Sequence, residues 1–189
     1  MQTLPNYYYI PTGITRDVAE LIVKKCDELQ LENSTVTNEG LLITKPSWRK
    51  STNAWIPMDH WIAGMMKHFV ESANVAEFNY DLTKWSDQIQ YTVYDGDGSH
   101  YGWHTDIVES VYDPKVVRKL SISLLLSDPE DYEGGEFQLL LAGDGQMKSW
   151  KPPIGTAVIF PSTAKHRVRP VKSGKRISLV GWYGGPAFR

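Results

Sequence analysis

Apolar residues recur along this chain with two different periods, and the texture changes from residue 88. Over "TRDVAELIVKKCDELQ" (15–30), Val18, Leu21, Ile22, Cys26 and Leu29 return at helical spacing, which predicts an amphipathic helix with Thr15 as its N-cap. Over "MDHWIAGMMKHFVESANVAEF" (58–78), Ile62, Met65, Met66 and Phe69 form a second stripe, with Asp59 as cap. The Met pair reads as core filler, and His60 and His68 on the same helix read as structural. From residue 88 the runs shorten and fill with β-branched and aromatic residues: "QIQYTVY", "KLSISLLL", "GEFQLLL", "MKSW", "GTAVIF", "HRVRPV" and "RISLVGWY". Turn signals such as "DGDG", "DPEDYEGG", "AGDG", "KPP" and "KSGK" separate them. Strands at this spacing argue for an antiparallel sandwich or barrel. The expected architecture is mainly β with flanking α: a jelly-roll-like core (81–189) with a helical support region (1–80), in one domain spanning 1–189.

Composition adds bounds rather than identity. The 189 residues suffice for one well-buried domain. At 41% hydrophobic and 22% charged, the make-up is that of an ordinary globular protein. A net charge of −2 gives no global pull toward nucleic acid or anionic membrane. One cysteine, Cys26, excludes an intramolecular disulfide and a cysteine metal cluster. With no basic-then-apolar leader in "MQTLPNYYYIPTG" and no run near the roughly 20 apolar residues of a membrane span, a cytoplasmic location is the expectation.

The chemistry concentrates around "YGWHTD" (101–106). On an extended strand His104 and Asp106 project from one face and offer an imidazole nitrogen and a carboxylate to one point. After Asp106 the only histidine is His166, at the head of "HRVRPV". Two histidines and one carboxylate leave three adjacent positions open on a metal, which suits non-haem Fe(II). Zinc hydrolase sites use the same donor types but keep essentially one open position. Arg176 discriminates between them. On the strand "KRISLVGWY" it shares a face with Ser178, so a guanidinium fork and a hydroxyl converge as an anchor for a dicarboxylic acid. A hydrolase has no need of one.

Taken together, the order HxD…H…RxS resembles the Fe(II)/2-oxoglutarate-dependent oxygenases, and its details resemble the prolyl 4-hydroxylase-like branch. Tyr94 stands ten residues before His104, followed by Gly96, Gly98 and the second aromatic Tyr101. "KLSISLLLSDPEDYEGGEFQL" is similar to the family strand leading to "GGE", "GTAVIFPSTAKHRVRPV" to the strand carrying the distal histidine, and "WRKSTNAWIP" to an upstream R-x-S-x-x-A-W segment. Trp182, six residues beyond Arg176, also matches. The likeness covers roughly 45–189.

This resemblance implies a double-stranded β-helix in which His104, Asp106 and His166 hold Fe(II). Arg176 and Ser178 would anchor 2-oxoglutarate, and Tyr94 would sit near its carboxylate. O₂ is the second cosubstrate, and ascorbate belongs to the same implied set. The implied reaction hydroxylates an unactivated C–H bond, with a peptidyl proline in a polypeptide partner as the expected site, and releases succinate and CO₂. Two features depart from the branch. Enzymes acting on collagen-like substrates usually carry lysine where this chain has Arg176. The oxygen-sensing members, which have arginine, add a tyrosine where Leu125 stands here, leaving Ser178 as the expected second partner. The basic stretch "KHRVRPVKSGKR" invites a nucleic-acid reading, but the dealkylating branch has a second arginine where this chain has Trp182. Two alternatives stay open: the same oxygenase chemistry on a nucleic acid, free amino acid or other small molecule, and a non-catalytic metal-binding jelly roll.

Overall fold

The computed structural model describes residues 6–38, 41–110, 112–143 and 145–188. Alternation along the strands decides the layers. In Val117–Leu125, Leu120, Ile122 and Leu124 join the cluster that buries the helices, while Ser121 and Ser123 take the intervening positions, also buried. The same split runs through Ile89–Asp95, where Ile89, Tyr91 and Val93 lie in the helix-side cluster and Gln90, Thr92 and Tyr94 alternate with them. A sheet covered on one face by helices and on the other by a second sheet is buried on both, so its polar positions mark the inner face.

Two antiparallel sheets make up the sandwich, and a separate hairpin pairs Val36–Asn38 with Leu41–Ile43. The larger runs in the order Tyr8–Pro11, Thr156–Pro161, Val117–Leu125, Val171–Gly185, Ile89–Asp95, Thr52–Ile56 and Glu32–Asn33. The smaller runs Met147–Trp150, Phe137–Leu140, His166–Val168, His100–His104 and Arg49–Lys50. Side chains from both, including Tyr94, Phe160, Phe137, Leu139 and Val168, form an inner apolar cluster that holds the sheets together. This is the expected jelly-roll sandwich. Each run expected to form a strand does so, although "HRVRPV" breaks after Val168, where Arg169 and Pro170 leave the ladder. Pro170 has no N–H to donate, so an interruption falls naturally there. The first 80 residues carry more than helices: Tyr8–Pro11 and Thr52–Ile56 pair with strands of the larger sheet.

The first helix spans Arg16–Cys26 with Thr15 at its N-cap position. It is shorter than the expected 15–30 and rotated from the expected stripe. Ala19, Ile22 and Cys26 are buried, whereas Val18, Leu21 and Leu29 are exposed. A small alanine lets the helix lie close to the sheet, and the larger apolar residues flank the contact. The second helix spans Trp61–Ala73 and continues as a wider π turn over Asn74–Phe78. His60 caps it, its Nδ1 accepting from the Ile62 N–H at 3.3 Å, in place of the expected Asp59. Met66 is buried as core filler, and no helix among the described residues is long and apolar enough to cross a membrane.

Candidate active site

His104 ends one strand of the smaller sheet and His166 begins its neighbour, and the two are partners in the ladder. Their ring centroids are 4.1 Å apart. Each ring is oriented by its own backbone. His104 Nδ1 donates to the Gly102 carbonyl at 2.8 Å and His166 Nδ1 to the Ala164 carbonyl at 3.0 Å. A carbonyl oxygen can only accept, so Nδ1 carries a proton in each ring, and Nε2 is the nitrogen turned toward Asp106.

Asp106 reaches the same point by another route than strand alternation. The strand stops at His104, and Asp106 lies in the segment beyond it. Its N–H donates to the Ser162 carbonyl at 2.8 Å, and its Oδ2 accepts from Ser121 Oγ at 2.8 Å. His104 Nε2 lies 3.6 Å from Oδ1, and His166 Nε2 lies 3.4 Å from Oδ2. One donor atom from each of the three residues lies within 4.8 Å of the others. Burial, reinforced by the neighbouring His166, pushes the His104 imidazole well below its usual basicity. Burial alone would raise the Asp106 carboxyl, but His166, His104 and Arg118 outweigh it and keep it ionised. Two imidazole Nε2 atoms beside an ionised carboxylate form a donor set for a divalent cation, whose binding would displace any proton on those nitrogens.

A cleft of about 920 Å³ opens from this cluster between the sheets. At its base Arg176 is only 1% exposed. Its Nη1 donates to Ser178 Oγ at 3.3 Å, its guanidinium lies 5.5 Å from the Tyr94 ring centre, and its Nε has no partner. Among the described residues no carboxylate forms an ion pair with it. A buried cation without a counter-charge is costly, because desolvation is not offset. The arrangement is explained if an anion completes it. Tyr94, opposite Arg176 in the ladder, is buried in the same inner cluster.

The sequence reading singled out these six residues, and the fold brings all of them to one cleft. Other lining residues were less legible. Tyr101 stacks on His104 with ring centroids 3.6 Å apart, and Arg49 lies over the far face of that stack, 4.5 Å from the Tyr101 centroid. Arg118 is held by Asp87 at 2.8 Å and lies 4.0 Å from the Trp182 ring centre. By contrast, His100 and Asp97 serve the preceding turn: His100 Nδ1 donates to Gly98 O, and Asp97 accepts from Ser99.

A sequence profile of the 2OG-Fe(II) oxygenase superfamily, 2OG being 2-oxoglutarate, matches residues 89–184. The chain belongs to that superfamily. Its relatives include a PKHD-type hydroxylase of Hyphomonas neptunium, 44% identical over 88 residues that cover 46% of this chain and 38% of that protein. Another, from Picosynechococcus sp., is 42% identical over 87 residues, 46% of this chain and 37% of its own length. The shared stretch thus spans little more than a third of these relatives. Among solved structures, the chain resembles a Pseudomonas putida prolyl-4-hydroxylase with a TM-score of 0.72 at 20% identity, covering 96% of this chain and 94% of that one. A Trichoplax adhaerens prolyl hydroxylase, in complex with a hypoxia inducible factor peptide fragment, gives 0.68 at 18% identity, covering 94% and 83%. At these identities the likeness concerns the fold. Residues of this chain fit the superfamily's two small partners: the His104–Asp106–His166 donor set suits Fe(II), and Arg176, which has no carboxylate ion-paired to it among the described residues, suits a dicarboxylate.

Proposed function

We propose that residues 1–189 form one catalytic domain, an Fe(II)- and 2-oxoglutarate-dependent dioxygenase that hydroxylates a prolyl residue of a polypeptide. The observation that carries this reading is the shared cleft, with the three-residue donor set at one point and the unpaired Arg176 at its base. His104, Asp106 and His166 would hold the iron on one side, leaving the other to face the cleft. Fe(II), when bound, supplies the coupling of 2-oxoglutarate decarboxylation to O₂ activation and C–H hydroxylation.

The protein's part is placement. The Gly102 and Ala164 carbonyls fix both imidazoles, and Ser121 with Ser162 fixes the carboxylate, so the donors are aligned before metal arrives. Arg176 and Ser178 orient the distal carboxylate, which restricts the cosubstrate to one direction of approach. Tyr94 closes the wall between that anchor and the metal ligands. The flanking sheets exclude water from the reacting centre.

A polypeptide is favoured over a nucleic acid because the upper cleft is lined by Trp55, Tyr112 and Trp182 with both signs of charge, Asp87, Glu109 and Arg118, rather than by a basic track. Proline-rich segments suit such an aromatic groove, since their preformed extended helix loses little entropy on docking. The supporting relatives are hydroxylases by name, and one structural neighbour holds a peptide fragment. The deciding experiment incubates the protein with Fe(II), 2-oxoglutarate, ascorbate and proline-containing peptides under air. One oxygen of added mass, located on proline by fragmentation and absent in His104→Ala, is the expected result. Modification confined to nucleobases or free amino acids would replace the prolyl assignment.

A further inference from the structure

A bulge in the strand His100–His104 puts an aromatic ring where alternation would not. His104 pairs with His166 and Tyr101 with Val168, so three steps along one strand oppose two along the other. Residues three apart on a regular strand face opposite ways. The extra residue turns Tyr101 to the side of His104, where the two rings stack with centroids 3.6 Å apart and planes 16° from parallel. Bulges beside active sites commonly re-aim a side chain in this way. Arg49 covers the other face of Tyr101. It stands across the ladder from Tyr101 on the edge strand Arg49–Lys50, with its guanidinium carbon 4.5 Å from the ring centre. Arg49 is 9% exposed, and among the described residues no carboxylate forms an ion pair with it. Its partners are neutral: Nε donates to Ser51 Oγ at 3.3 Å, Nη1 to the Thr35 carbonyl at 3.4 Å and Nη2 to Gln90 Oε1 at 2.6 Å. Burial of a cation without a counter-charge is unfavourable, so a guanidinium retained here calls for a function. Its donors lie in one plane, and three bonds in different directions fix that plane over the Tyr101 ring.

We propose that Arg49 is a positioning residue for the metal centre: held by Ser51, Thr35 and Gln90, it clamps the Tyr101 ring against His104 and so fixes the plane of that imidazole. This rests on reading His104, Asp106 and His166 as metal ligands. The Gly102 carbonyl fixes the direction of one ring nitrogen of His104 but leaves the ring free to tilt about that hydrogen bond. A flat wall against the ring face removes the tilt. His166 has no such need, because Phe160 and Phe137 of the inner cluster pack on it with centroids 4.7 and 5.8 Å away. His104 lies at the cleft, and its wall is supplied by the bulge and the edge strand. The upstream R-x-S pattern thereby gains a task, since Arg49 and Ser51 are bonded to each other within it.

The test titrates metal-free protein with Co(II), an air-stable stand-in for Fe(II) whose d–d absorption reports ligand geometry without turnover. If Arg49 acted only as a charge, its removal would tighten the binding of a divalent cation. Clamping predicts the reverse. Arg49→Met is expected to weaken Co(II) roughly tenfold, the lower end of losses for residues that orient metal ligands, and to alter the d–d bands. Tyr101→Phe, which keeps the ring, is expected to bind as the wild type does, and Tyr101→Leu to lose as much as Arg49→Met. Combining Arg49→Met with Tyr101→Leu is expected to add no further loss, because the arginine acts through the ring. Should Arg49→Met not fold, Arg49→Lys takes its place: it keeps the charge without the planar fork, and a smaller loss of the same sign is expected. Wild-type or tighter Co(II) binding in the arginine variant, a loss in Tyr101→Phe, or additive losses in the double variant would each overturn the proposal. Absence of Co(II) binding by the wild type itself would instead overturn the reading of the donor set on which it rests.

Discussion

His104 and His166 face each other across one rung of an antiparallel ladder, so the spacing between the two nitrogens proposed to ligate metal is set by backbone hydrogen bonding. A ligand pair fixed in this way does not depend on metal for its geometry. His104→Ala and His166→Ala are therefore expected to keep the far-UV circular dichroism of the wild type while losing Fe(II)-dependent succinate formation. Full turnover by either variant would remove it from the ligand set.

Arg176 gives the cleft a second, separable prediction. Arg176→Ala should raise the 2-oxoglutarate requirement by roughly tenfold or more, the worth of about one or two charge-assisted hydrogen bonds, with little change in the Fe(II) requirement. Lysine should rescue only partly, because it restores charge without the fork. In the ligand-free protein an apolar replacement of similar length, Arg176→Met, should raise the melting temperature, since it removes a buried cation that has no acidic partner among the described residues. A stability loss of several degrees in Arg176→Met would show that the charge is compensated within the fold.

How far the sequence disclosed this site depended on how each residue is positioned. Ser121, Ser123, Arg176 and Ser178 follow strict strand alternation, so their shared face was readable once the runs were recognised as strands. Asp106 converges through a loop tied to Ser162, a contact between segments 56 residues apart that no local pattern carries. The strand Tyr132–Gly134 was hidden because "DPEDYEGG" has the composition of a turn, and it gains its strand character only by pairing with Val171–Gly185. The strands Tyr8–Pro11 and Thr52–Ile56 escaped for a similar reason. Short, edge-like or polar segments gain their strand character from the partners they add to, not from their own periodicity.

Alkaline pH should expose the helix-side core. Burial, with Asp27 adjacent, raises the Cys26 thiol from 9.0 to about 12, and burial next to Glu71 raises Tyr183 from 10.0 to about 12. An acid whose folded pKa is raised keeps its proton longer in the native state than in the unfolded chain. Between the two values the unfolded chain is the more deprotonated, so stability falls as pH rises. Unfolding midpoints in urea should accordingly decline from about pH 9 upward, and Cys26→Ala should blunt the onset of that decline. The same burial predicts that a thiol reagent at pH 8 labels Cys26 only after denaturant is added. Rapid labelling of the native protein would contradict the seating of the first helix on the sheet.

The last prediction concerns the substrate side of the cleft. Trp182 is 6% exposed, and its indole N–H has no acceptor. Arg118 lies over its ring at 4.0 Å with Nε held by Asp87, and among the described residues the other guanidinium nitrogens have no protein partner. An indole N–H and a partly free guanidinium side by side suit an acceptor such as a peptide carbonyl, and the aromatic surface beneath suits a pyrrolidine ring. Trp182→Phe retains the ring and the cation contact but deletes the donor. It should raise the KM for a proline peptide by roughly tenfold, as loss of one buried hydrogen bond to an uncharged acceptor predicts at its upper end. The KM for 2-oxoglutarate should stay at its wild-type value, because the proposed anchor for that cosubstrate is the Arg176–Ser178 pair. Steady-state titration of each substrate at saturation of the other separates the two. An unchanged peptide KM would release Trp182 from substrate contact, and a parallel rise in both would place its effect in the general shape of the cleft.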